Sequence, residues 1–154
     1  MRLLSVGVNI TPSYIGLAMV RAGSKTKTNI VTLDSIQIPE STIDTPEAAC
    51  TVVASELRDW LGAHAMPGES IVLGIADKTG YGFLAGAVAS GITNQVTELI
   101  RANNYIYATE NNIDSLNLVY PELEYKAQFL TWEELPSIQP ALRVATWIKT
   151  GYLQ

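Results

Sequence analysis

Three apolar, β-branched runs open the chain before any segment long enough for a helix, and that order constrains the fold more than any other feature. Leu3–Ile10 (LLSVGVNI) and residues 14–21 (YIGLAMVR) are divided only by Thr11-Pro12-Ser13. Such a short turn signal between apolar runs predicts an antiparallel hairpin. Residues 22–28 are polar and basic and predict a loop. Residues 29–38 (NIVTLDSIQI) place Ile30, Leu33, Ile36 and Ile38 among polar side chains, the pattern of a half-exposed third strand.

Helices enter only after this triple run. Thr45-Pro46-Glu47 supplies a cap, a proline suited to the first helical position and an acid near the positive end of the dipole. Ala48, Ala49, Val52, Val53, Leu57, Trp60 and Leu61 then recur at three- and four-residue spacing, an amphipathic face. Ser70–Ala76 (SIVLGIA) is continuously apolar, as a central strand covered on both faces must be. A loop, DKTGYG at 77–82, leads to a second helix predicted over 83–103, with Leu84, Val88, Ile92, Val96 and Leu99 on one face and Asn103-Asn104 closing it. Residues 105–109 (YIYAT) predict a fifth strand. Thr131-Trp132-Glu133-Glu134 has capping-box spacing. Pro140 is expected to start a last helix running to Lys149, with Gly151 beyond it.

The order is therefore β-β-β-α-β-α-β, a mixed region, then α. An opening hairpin requires antiparallel pairing, and strands separated by helices require parallel pairing. The expected fold class is α/β: a mixed five-stranded sheet with helices on both faces, in three layers, formed by one domain over residues 1–154. A chain of this length buries enough surface to need no staples. Its 47% hydrophobic and 16% charged content belongs to a core-forming protein.

Composition also narrows function. The one cysteine, Cys50, rules out an internal disulfide and a cysteine metal cluster, and its place in an apolar helix face predicts a small buried hydrophobe. Net charge is −5, against the basic excess expected of a protein that lives by gripping phosphates. No signal-peptide pattern and no apolar run of about 18–20 residues is present, so the expectation is a cytoplasmic protein with no membrane partner.

The opening Leu4-Ser-Val-Gly-Val-Asn9 with Tyr14-Ile-Gly-Leu-Ala18, and Ile71-Val-Leu-Gly-Ile-Ala-Asp77 with Gly80-Tyr-Gly-Phe-Leu-Ala-Gly-Ala-Val88, resemble the RuvC-like branch of the ribonuclease H-like superfamily, and in particular a small bacterial group within it. The resemblance covers about residues 1–109 in element order. It implies the ribonuclease H-like three-layer fold and two-metal phosphodiester hydrolysis. That chemistry needs carboxylates converging at the strand ends to hold two divalent ions about 3.5–4 Å apart, and hard cations such as Mg²⁺ draw most of their affinity from carboxylate charge.

The acidic pattern is degenerate. Asn9 stands at the first-strand acid. The fourth-strand acid falls at Ala76 or Asp77, depending on a one-residue register that decides which face the side chain takes. The last helix, read as 140–149, holds no acid and carries Arg143, a cation unsuited to a metal site. Glu110 and Asp114 follow the fifth strand and could add carboxylates, although loop acids are ordinarily solvated. Asp34 is expected on the solvent face of an edge strand. His64, the one histidine, is expected at a helix C-terminus, where it stabilises the end of the helix.

Gly80, Gly82 and Lys78 lie in a strand–loop–helix setting that could hold an anion on backbone N–H groups, yet neither phosphate-loop pattern is complete. Close packing explains Gly86 and Gly91 as well. The hairpin also resembles the first phosphate hairpin of actin-like ATPases, which need a second domain. Tyr105, Tyr107, Tyr120, Tyr125, Phe129 and Trp132, with Trp147 and Tyr152, concentrate in the C-terminal third. Ordinary core and rim packing explains them as well as a contact surface does, where exposed aromatics anchor interfaces.

Three functions follow as expectations. The first is a non-catalytic ribonuclease H-like domain working as an interaction or assembly subunit, with a protein partner or a second copy and no cofactor. The second is a divergent Mg²⁺-dependent nuclease acting on DNA through Asp77, Asn9 and Glu110 or Asp114. The third is a small-anion or nucleotide-binding module at Gly80, Gly82 and Lys78.

Overall fold

The computed structural model describes residues 3–22, 28–39, 46–65, 70–76, 81–100, 102–108, 128 and 134–147. The strands are β1 (Leu3–Ile10), β2 (Tyr14–Ala22), β3 (Thr28–Gln37), β4 (Ser70–Ala76) and β5 (Ala102–Ala108). The helices are α1 (Pro46–His64), α2 (Gly82–Ile100) and α3 (Glu134–Trp147). The strands form one sheet in the order β3-β2-β1-β4-β5. β1 pairs antiparallel with β2, and β2 with β3. β4 pairs parallel with β1 on one side and β5 on the other. The expected mixed five-stranded sheet is what forms.

The β1–β2 turn is fixed locally. Thr11 Oγ1 donates to the Tyr14 carbonyl and accepts from the Tyr14 N–H, each at 2.9 Å, while the Thr11 N–H donates to the same carbonyl at 2.9 Å. A threonine at the turn thus satisfies groups that the ladder cannot.

The period-two rule sorts β1 between the two faces. Leu4, Val6, Val8 and Ile10 enter the larger core with Ile71, Leu73 and Ile75 of β4, Val53, Leu57 and Leu61 of α1, and Val88 and Ile92 of α2. Ser5, Gly7 and Asn9 alternate with them and take the other face. There Ala18, Val20 and Leu33 pack with Ile138, Ala141, Leu142 and Ala145 of α3. The sheet is therefore covered by α1 and α2 on one side and by α3 on the other.

Two boundaries differ from expectation. α2 ends at Ile100, and Asn103-Asn104 belong to β5, where Asn104 pairs with Val72. Parallel pairing with a central strand recruits polar residues that local propensity assigns to a helix end. The last helix begins at Glu134, six residues before Pro140, and Pro140 lies buried inside it. An interior proline removes one helical N–H bond and costs about 3 kcal/mol. Burial of Ile138, Leu142 and Val144, together with Pro140 itself, outweighs that cost here.

Candidate functional site at the carboxyl ends of β1 and β4

In an open α/β sheet, ligands bind beyond the carboxyl ends of parallel strands. β1 ends there with Asn9 and Ile10, and β4 with Ala76. The pairs Gly7↔Gly74 and Val8↔Ile75 continue to place Asn9 beside Ala76 on the α3 face. Ala76, 3% exposed, is thus the residue beside Asn9, while Asp77, the alternative fourth-strand acid, lies outside the described residues.

Asn9 is fully buried. Its Nδ2 donates to the Ser137 carbonyl of α3 at 3.0 Å. Its Oδ1 is buried with no hydrogen-bond partner among the described residues, and so is Ser5 Oγ farther along the same strand face. Ser137 Oγ in turn donates to the Glu134 carbonyl at 2.6 Å, closing the first turn of the helix.

The close approach of α3 is written into two glycines. A Cβ on Gly16, the cross-strand partner of Asn9, would overlap the Ser137 carbonyl oxygen. A Cβ on Gly7 would overlap the Ala141 carbonyl oxygen one helical turn later. The helix backbone therefore rests directly on the sheet at this end.

The fold family implies divalent metal ions at this place. Asn9 and Ala76, the described residues at the paired strand ends, bring no charge to hold them. Among the described residues beside Asn9, the site offers one neutral amide oxygen, a methyl group and the backbone of α3. No cluster of three or more His, Cys, Asp or Glu side chains occurs among the described residues. Asp77, Lys78, Gly80, Glu110 and Asp114 lie outside the described residues. Gly82 is the first residue of α2, half-buried, in a first turn without acids. Gly91 faces Ala54 of α1, where a Cβ would make an ordinary 3.7 Å contact, in keeping with a packing role.

Three sequence expectations need correction. First, the last helix is not free of acids: Glu134 opens it. Because Ser137 lies over the end of β1 and Ala141 over its middle, α3 runs antiparallel to β1. Glu134 thus stands on the side where β1 and β4 end. Reading Pro140 as the helix start hid it, although its place in the capping-box pattern was the signal that could have found it. Second, Asp34 sits on an edge strand but is not simply solvated. Its Oδ2 accepts from Trp60 Nε1 at 2.8 Å and from Thr32 Oγ1 at 3.0 Å, and lies 3.9 Å from His64 Nε2. The indole of α1 reaches across to β3 and turns the carboxylate inward. Third, Cys50 is half-buried against the larger core rather than fully enclosed.

His64 ends α1 as expected, with Nδ1 2.9 Å from the Trp60 carbonyl. Arg143 is half-buried on α3. Phe83, 82% exposed at the start of α2, is a residue that the sequence reading used only as the start of a helix.

Burial raises the Cys50 thiol pKa above its ordinary value, and the Glu47 carboxylate adds to the rise. The thiolate is the reactive form. Cys50 is expected to react with a disulfide reagent at pH 7.5 about tenfold or more slowly than in the denatured chain. A stopped-flow absorbance trace with and without urea checks this, and equal rates would contradict it.

No protein-family model matches the sequence, and no curated protein sequence is significantly similar to it. Solved structures do match. RuvC of Thermus thermophilus superposes with a TM-score of 0.60 at 10% identity, covering 94% of this chain and 92% of that one. The yeast mitochondrial Holliday junction resolvase Ydc2 gives 0.59 at 10% identity, covering 94% and 77%. The manganese-soaked human cytomegalovirus terminase nuclease domain gives 0.55 at 14% identity, covering 96% and 84%. The fold is therefore ribonuclease H-like. At 10–14% identity the likeness to these structures is one of fold.

Proposed function

We propose that this chain is a non-catalytic ribonuclease H-like domain that acts as an interaction or assembly subunit. The carrying observation is the pair at the strand ends: Asn9 and Ala76 stand side by side on the α3 face, where two-metal hydrolysis needs charge. An amide and a methyl group supply none, and carboxylate charge is the main source of affinity for hard divalent ions. Exposed Phe83 at the same end of the sheet is the kind of aromatic that anchors a protein contact. The partner class is a protein or a second copy of the chain, and no cofactor is required.

The test is direct. Incubated with Mg²⁺ or Mn²⁺ and branched or linear DNA, the protein is expected to leave the DNA intact. Metal-dependent cleavage that disappears in Asp77→Ala would overturn this reading.

A second reading, a divergent nuclease, has one observation in its favour. Glu134 opens α3 on the side where β1 and β4 end, so one acid of the closing helix is near the expected place. Similarity of fold to RuvC, Ydc2 and a terminase nuclease domain supports the same reading. On it, Asp77, Glu134 and an acid from Glu110 or Asp114 would hold Mg²⁺, and nucleic acid would be the substrate. Cleavage lost in both Asp77→Ala and Glu134→Gln is what this reading requires.

A further inference from the structure

We infer that Asn9 is a clasp for the closing helix, and that the place where this fold family implies a metal has become a packing joint. The carboxamide is fully buried and donates at 3.0 Å to a carbonyl 128 residues away in sequence. That Ser137 carbonyl lies over Gly16, the cross-strand partner of Asn9, and the Ala141 carbonyl lies over Gly7. One helical turn rises about 5.4 Å and two strand residues span about 6.6 Å. Successive turns of α3 therefore meet successive inward positions of β1: Asn9, then Gly7. At one position a missing side chain admits the helix backbone. At the other an amide hydrogen bonds to it.

The joint needs a hydrogen-bond donor at position 9, which an amide supplies at every pH. A carboxylate has no hydrogen to give, so aspartate at position 9 would hold an anionic oxygen against a carbonyl oxygen in a buried place. Asn9 Oδ1, without a partner among the described residues, is the cost of the arrangement, the desolvation penalty of a buried acceptor. The acid-to-amide exchange is then a requirement of how α3 is seated. The clasp stands or falls apart from the proposed function, because acids outside the joint could cleave DNA with the clasp intact.

Thermal unfolding of Asn9→Ala and Asn9→Asp, with and without millimolar Mn²⁺, tests it. Asn9→Ala is expected to lower Tm by about 5 °C. Asn9→Asp should lower it by about 10 °C at pH 8. Its deficit should shrink as pH falls, because only a protonated carboxyl can donate to the Ser137 carbonyl. The sign follows from linkage. A buried carboxyl without a charge partner has its folded pKa raised above the unfolded value of about 3.9. Its contribution is fully present below the unfolded value and is lost as pH rises through the folded one. Mn²⁺ should not rescue the variant. An Asn9→Asp protein as stable as the parent at pH 8, or one whose Tm Mn²⁺ raises more than the parent's, would overturn the inference. Should Asn9→Asp not fold, hydrogen exchange on Asn9→Ala decides: amides of α3 are expected to speed up more than those of α1, and a uniform change would overturn it.

Discussion

Gly16→Ala is expected to lower unfolding stability by about 3–4 kcal/mol, and Gly7→Ala by a similar amount. Few single methyl groups have so large an effect. Overpacking usually costs about 1–3 kcal/mol because a flexible side chain moves aside. Here the added Cβ meets backbone, the Ser137 carbonyl at Gly16 and the Ala141 carbonyl at Gly7. A helix backbone can yield only by lifting off the sheet, which would expose Ile138, Leu142 and Ala145 on α3 and Ala18 and Val20 on β2. Gly62, in α1 with nothing within 4 Å of its would-be Cβ, is the control. Gly62→Ala should be neutral or stabilising by about 0.5–1 kcal/mol from helix propensity. Urea unfolding of the three variants measures the contrast. Gly16→Ala and Gly62→Ala of equal stability would contradict the apposition of α3 and the sheet.

Trp60→Ala should destabilise by about 3–5 kcal/mol, the range for deleting a large buried aromatic. Trp60 is 7% exposed and belongs to the larger core, and its indole N–H also reaches the Asp34 carboxylate at 2.8 Å. Removing the side chain opens a cavity between α1 and the edge strand and takes one donor from a half-buried anion. Trp60→Phe separates the two effects. It keeps most of the apolar volume, loses the charge-assisted hydrogen bond, and should cost about 1.5–3 kcal/mol. Combining each with Asp34→Ala closes a double-mutant cycle. Coupling should be present between Asp34 and the indole, because the two are in direct contact. Additive losses in that cycle would show the indole–carboxylate bond to be energetically silent.

The two substitutions probe opposite faces of one sheet, and the faces differ in how they hold their helices. α1 and α2 rest on branched and aromatic side chains, whose burial is non-directional and tolerant of small shifts. α3 rests on small residues and one amide bond, where backbone meets backbone. The second kind of contact fixes a helix more exactingly.

Much of the architecture was legible in the sequence, because apolar runs and turn signals report local structure. Leu3–Ile10 and Ser70–Ala76 are strands with the boundaries their composition predicts, and Pro46 begins α1 as its position in the Thr45-Pro46-Glu47 signal implies. The run Leu3–Ile10 alternates poorly and read only as a buried strand, so the division of Leu4, Val6 and Val8 from Ser5, Gly7 and Asn9 came from the structure. What the sequence could not supply was the identity of the neighbour on each face. Asn9 read as an acid gone missing; tertiary contact makes it a donor to Ser137. Gly7 and Gly16 read as strand glycines; only the seating of α3 shows that a methyl group there has no room. Pro140 read as a helix start, and burial against the sheet carried the helix through it to begin at Glu134. Periodicity is a property of neighbours along the chain, whereas Asn9 and Ser137 meet across 128 residues, and only folding brings such pairs within reach of a hydrogen bond.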